Sequence, residues 1–94
     1  MRLIWEEDAL SDLEGIFTFI AQDNPEAATE TTQRITEAVG RLEESPGMGR
    51  PGRVANTREL VSPGTSYLVP YRVKRREIQI LRVFHTAQRA LDQW

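Results

Sequence analysis

YLVPYRVKRREIQILRVFH, residues 67–85, decides the fold. Residues 67–73 and 78–84 are rich in β-branched and aromatic side chains and flank a connection of turn length, KRRE at 74–77. That pattern predicts two antiparallel strands. Upstream, residues 57–61 (TRELV) have the same character and are separated from Tyr67 by Ser62-Pro63-Gly64-Thr65-Ser66, so a third strand joins an antiparallel meander. Pro70 cannot donate to a ladder and predicts a local break. The turn holds no Gly, Asn or Asp, so it does not choose between pairing Val73 with Ile78 and pairing Val73 with Glu77. The first register puts Arg72 on one face with Gln79, Leu81, Val83 and His85. The second puts Arg72 with Ile78, Ile80 and Arg82. Gathering Arg72, Arg82 and His85 into one site requires a bulge.

The first half of the chain has a different period. Residues 2–5 (RLIW) read as a short strand, and Glu6, Glu7 and Asp8 follow where a helix N-terminus favours negative charge. Leu10, Leu13, Ile16, Phe17 and Ile20 recur at three- and four-residue spacing, predicting a helix to about Gln22 with one face on a core. Asp23-Asn24-Pro25 ends it and opens a second, with Asn24 as N-cap and Pro25 in the first turn. The second helix turns Ala28, Ile35, Val39 and Leu42 inward and stops at Ser45-Pro46-Gly47. So short a connection predicts a helix hairpin. The expected fold is therefore α+β, in the order β-α-α-β-β-β, with an antiparallel sheet covered on one face by the N-terminal hairpin. Tyr67, Tyr71 and Trp5 are expected in the core; Trp94 is a terminal residue, docked or disordered. No repeat or linker divides the chain, so residues 1–94 read as a single domain.

Composition excludes several classes of chemistry. The chain has 94 residues, no cysteine and one histidine. Disulfides, a thiolate nucleophile, a cysteine zinc site and a His-rich metal cage are ruled out, and neither metal nor cofactor is expected. No stretch resembles a signal-peptide core or approaches a membrane span, which predicts a cytoplasmic protein without a membrane partner. Charge is divided along the chain. Residues 1–45 carry three bases against eleven acids, a net −8, and residues 46–94 carry nine bases against three acids, a net +6. A basic surface facing phosphates or acidic side chains accounts for that division, as does attraction between the two halves within the fold.

The order of elements resembles the RelE/ParE superfamily of bacterial toxins, together with DNP at 23–25, GRPGRV at 49–54, TRELV at 57–61, Tyr67-x-x-x-Tyr71 and ILRVFH at 80–85. The resemblance covers essentially the whole chain. It implies the toxin of a type II toxin–antitoxin system, which inhibits growth and is neutralised by a cognate antitoxin in a hetero-oligomer. It also implies one of two targets: the ribosome with its mRNA, cut by RelE-like nucleases, or DNA gyrase, poisoned by ParE-like proteins. A non-toxic or degraded basic-faced RNA-binding domain is the alternative.

Metal-free RNA cleavage needs a base, positive charge on the phosphorane oxygens and an acid for the leaving oxygen. His85, Arg82, Arg72 and Glu59 are the candidate catalytic residues if the chain is a nuclease. The resemblance also shows two departures, because RelE-like nucleases often carry arginine where this chain has Leu68 and Thr86. A gyrase inhibitor needs no catalytic residue. Arg50, Arg53 and Arg58, in the Gly/Pro-rich loop, are the candidate target-binding or nucleic-acid-binding residues, since nothing in the helix pattern needs their charges buried. Arg75 and Arg76 read as solvated gatekeepers of an exposed turn. His85 equally fits a hydrogen-bonded structural histidine.

Overall fold

A computed structural model describes residues 1–87, so Trp94 lies outside the described residues. The described elements are β1 (Arg2–Trp5), α1 (Glu7–Ala21), α2 (Pro25–Gly40) with a 3₁₀ turn (Arg41–Glu43), β2 (Arg50–Pro51), β3 (Arg58–Val61), β4 (Tyr67–Lys74), β5 (Glu77–Ile80) and β6 (Phe84–His85). The helices form the expected hairpin, and β3, β4 and β5 form the expected antiparallel meander. Two things were not foreseen. β1 pairs with β5 in parallel, Leu3 beside Ile78, which makes the sheet mixed. Two-residue strands β2 and β6 extend it, pairing with β3 and β4.

Local chemistry accounts for the helix boundaries. Asn24 caps α2, its side-chain oxygen accepting the Ala27 N–H at 3.1 Å, and Pro25 occupies the first turn, where its missing donor costs nothing. Glu7 and Asp8 lie in the first turn of α1, against its positive dipole end. The core joins Ala9, Ile35, Val39 and Leu42 of the helical layer to Leu60, Val69, Tyr71, Ile78 and Ile80 of the sheet. All four inward positions expected on the second helix are buried.

The inner face of α1 differs from expectation. Leu13 and Ile16 pack on the core, but Leu10 and Phe17 are 48% and 40% exposed. Phe19, outside the expected stripe, is 71% exposed. With successive side chains turned about 100° apart, Ala9, Leu13, Ile16 and Ile20 share one face, while Leu10 with Phe17 and Phe19 flank it on opposite sides. The apolar arc of α1 is wider than the face the sheet covers.

Pro70 produces its break in the partner strand. β4 runs without interruption through Pro70, whereas its neighbour pauses between Ile80 and Phe84. Tyr71 faces Ile80 and Leu68 faces Phe84, so three residues, 81–83, oppose only Val69 and Pro70. The proline carbonyl still accepts the Leu81 N–H at 3.0 Å. Having no N–H to give, it leaves the opposite chain free to bulge. The single strand expected over 78–84 is thus two strands. The register is the first of the two open ones, Val73 beside Ile78, closed by a two-residue turn at Arg75 and Arg76.

Candidate functional site

The bulge decides which side chains meet. Before it, Ile78 and Ile80 face the helices and Arg72 pairs with Gln79 on the outer face, its Nε donating to the Gln79 side chain. One extra residue reverses the alternation, so His85, opposite Tyr67, also faces the helices. Arg72 and His85 therefore lie on opposite faces, although the register alone would have put them together. The second open arrangement, Arg72 beside Arg82, does not occur.

Arg82 projects from the bulge to α1. Its Nε and Nη2 donate to the two Asp12 oxygens at 2.7 and 3.0 Å, and the Val83 N–H adds a third bond to the same carboxylate at 2.9 Å. The guanidinium also lies 4.9 Å from the centre of the Phe84 ring. The hydrogen bond to Asp12 pushes the Arg82 pKa further above its ordinary value, against the opposing effect of burial. Beside this clamp, His85 meets the Tyr67 ring edge to face at 5.3 Å. His85 Nδ1 accepts the Ala87 N–H at 3.1 Å, which in a neutral ring places the proton on Nε2. Burial pushes the Tyr67 hydroxyl pKa up. An open groove of about 520 Å³ runs here between α1 and β6, lined by Asp12, Gly15, Ile16, Phe19, Tyr67 and His85 among others. Gly15 contributes to its width, having open space where a side chain would stand.

The other candidates lie at the β2–β3 side of the sheet. Glu59 is 2% exposed; it accepts the Arg53 backbone N–H at 3.1 Å and stands 3.7 Å from the Arg50 guanidinium. Arg58 reaches back over the loop to donate to the carbonyls of Gly49 at 2.7 Å and Gly47 at 3.3 Å. Tyr71 closes the same loop from below: its hydroxyl donates to the Pro46 carbonyl at 2.7 Å and accepts the Gly49 N–H at 2.8 Å. Burial raises the Tyr71 pKa, and the Gly49 bond and Arg58 partly oppose the rise. A Cβ at Gly49 would stand 2.7 Å from Tyr71 and 2.9 Å from the Glu59 carbonyl, so only glycine fits. Arg50 and Arg58 thus hold the loop as well as presenting charge, a structural part that the sequence pattern does not reveal.

The candidate catalytic set is divided among three places. Arg82 and His85 share the helix side, Arg72 is on the outer face, and Glu59 is buried beside Arg50. Sequence reasoning missed Asp12, one acid among eleven in its half of the chain, and the Gly15–Phe19 flank of α1. Among the described residues, no group of three or more His, Asp or Glu could hold a metal ion, and no helix is long and apolar enough to cross a membrane.

A helix hairpin on a meander, with an apolar groove beside α1 and an arginine-bearing loop held by a buried tyrosine, makes this a small α+β domain with the element order that the resemblance to the RelE/ParE superfamily implies. Comparison with known proteins narrows the class. The family described as "ParE toxin of type II toxin-antitoxin system, parDE" matches residues 3–90. The chain is 44% identical over 87 residues to a Sinorhizobium fredii protein named "Putative toxin Y4kP", covering 93% of this chain and 90% of that one. Its fold is similar to a chain of the chromosomal ParDE toxin–antitoxin system from P. aeruginosa, with a TM-score of 0.83 and 36% identity over 90% of this chain and 95% of that one. The chain belongs to the ParE family and is the toxin component of a type II toxin–antitoxin system, which implies an antitoxin as its partner.

Proposed function

We propose that this toxin stops growth by engaging DNA gyrase in the cytoplasm, as a binding protein and not as an mRNA nuclease. The separation of the candidate catalytic residues carries this reading. Proton transfer and phosphorane stabilisation need groups converging within hydrogen-bond reach of one reacting centre. Here Arg82 is bonded to Asp12, Arg72 and His85 are on opposite faces of the sheet, and Glu59 is buried next to Arg50. Membership of the ParE family, with the gyrase mechanism its resemblance implies, points the same way.

The antitoxin in this reading lays an apolar segment along α1, with a side chain in the groove beside Phe19. Phe19, 71% exposed at the edge of the groove, is the anchor α1 offers on this flank, and helix-in-groove docking is a common solution for such a surface. Inducing the toxin and following plasmid supercoiling and transcript 5′ ends in parallel tests the target. Early loss of supercoiling with intact transcripts is expected. Early codon-phased cuts with normal supercoiling would overturn it.

A further inference from the structure

Six of the described cations outside the Asp12 clamp collect at one end of the sheet. β4 and β5 meet there in the turn Arg75-Arg76, with Lys74 beside Glu77 and Arg72 beside Gln79. β3 brings Arg58 next to Tyr71 at the same end, and β2 brings Pro51 next to Arg58 with Arg50 beside it. Arg50, Arg58, Arg72, Lys74, Arg75 and Arg76 are all exposed. Among the described residues, the two acids nearby are engaged: Glu59 is buried against Arg50, and Glu77 lies 3.6 Å from Arg2. Arg58 and Arg72 share, with Asn56 and Thr57, a recess of about 330 Å³.

Arg75 supplies a second observation. Its φ is +59°, in the left-handed region that costs an L-residue with a Cβ and that a two-residue hairpin normally fills with Gly, Asn or Asp. A residue held in that conformation points to a use for its side chain, and here the side chain is one more cation at the tip of the cluster. Residues 46–58 and 72–77 also contain no aromatic residue. Proteins that hold single strands stack bases on aromatic platforms, whereas a duplex backbone is met by spaced cations alone.

We propose that this end of the sheet binds the phosphate backbone of duplex DNA without sequence preference, with Arg72, Lys74, Arg75 and Arg76 as its phosphate contacts. The site is a property of the isolated toxin and stands or falls independently of gyrase. If gyrase is the target, the site sets the toxin against the DNA which that enzyme holds.

Fluorescence anisotropy with a labelled duplex of about 20 base pairs, titrated between about 50 and 200 mM salt, tests the proposal, because each phosphate contact contributes about −0.9 to the slope of log K against log salt. Wild-type toxin is expected to bind with a steep negative slope. Arg75→Gly is expected to make that slope shallower by about 0.9 while its Tm stays level or rises, since glycine relieves the left-handed strain. A purely structural Arg75 would leave the slope unchanged. Lys74→Gln with Arg76→Gln, away from the strained position, should shallow it by about 1.8. Absence of duplex binding at the lowest salt, unchanged slopes in both variants, or tighter binding to single-stranded RNA of equal length would each overturn the proposal.

Discussion

Replacing Asp12 by alanine should test how α1 fixes the bulge that orients His85. The carboxylate accepts two bonds from Arg82 and one from the Val83 N–H. Hydrogen bonds to charged groups contribute about 1.5–3 kcal/mol net, and an orphaned buried N–H costs about 1–3 kcal/mol. The side chains of Arg82 and Asp12 are 31% and 19% exposed, so solvent screens the pair in part and the low end of each range applies. Asp12→Ala should therefore cost about 2–4 kcal/mol, which for a domain of this size lowers Tm by about 10–20 °C. Arg82→Ala should cost less, because Asp12 keeps its bond to Val83. Urea unfolding of the two single variants and the double variant gives their coupling, expected at about 1–2 kcal/mol. The His85 ring resonances should move in both single variants as the contact with Tyr67 loosens. A coupling below about 0.3 kcal/mol, within ordinary additivity, together with unmoved His85 resonances would refute the clamp.

Tyr71→Phe deprives the Pro46 carbonyl of its donor and the Gly49 N–H of its acceptor, and should cost about 1–3 kcal/mol in chemical denaturation. Because burial raises the Tyr71 pKa above the ordinary value of 10.0, its contribution is fully present below pH 10.0 and is lost as pH rises towards the folded-state value. Wild-type stability should accordingly fall above pH 10, and Tyr71→Phe should show a smaller fall; equal slopes in the two proteins would count against the buried phenol. Phe19→Glu should abolish co-purification with the antitoxin while changing folding stability by less than about 0.5 kcal/mol, as expected of an exposed position. Retention of the antitoxin would remove Phe19 from the interface.

The helix hairpin and the meander were legible because their signals are local. Asn24-Pro25 starts a helix by satisfying and omitting donors within one turn, and Val69, Tyr71, Ile78 and Ile80 alternate inward along their strands. The parallel pairing of Leu3 with Ile78 was not legible, since nothing in four residues at the start of a chain names a partner far downstream. Leu10 and Phe17 misled the reading of α1 because periodicity gives an apolar arc without saying how much of it the sheet covers. The site suffered most from one residue. Pro70 announced a break, but whether β4 or its partner would yield was a matter of pairing, and the choice reversed the face on which His85 stands. Arg58 and Arg50 were legible as loop cations, but their bonds to Gly49 and Glu59 depend on backbone positions that only the folded loop creates.

Gyrase supercoiling of relaxed plasmid, assayed with purified toxin and its His85→Gln variant, tests most directly whether a binding surface stops growth. A hydrogen-bonding residue that keeps its packing but cannot exchange protons should leave a binding protein unharmed, whereas general acid–base catalysis is typically worth about 10²–10⁴-fold in rate. Equal inhibition of supercoiling by both proteins is the expected result. Normal supercoiling with either protein, accompanied by ribosome-dependent cutting of mRNA by the wild type and not by His85→Gln, would contradict it.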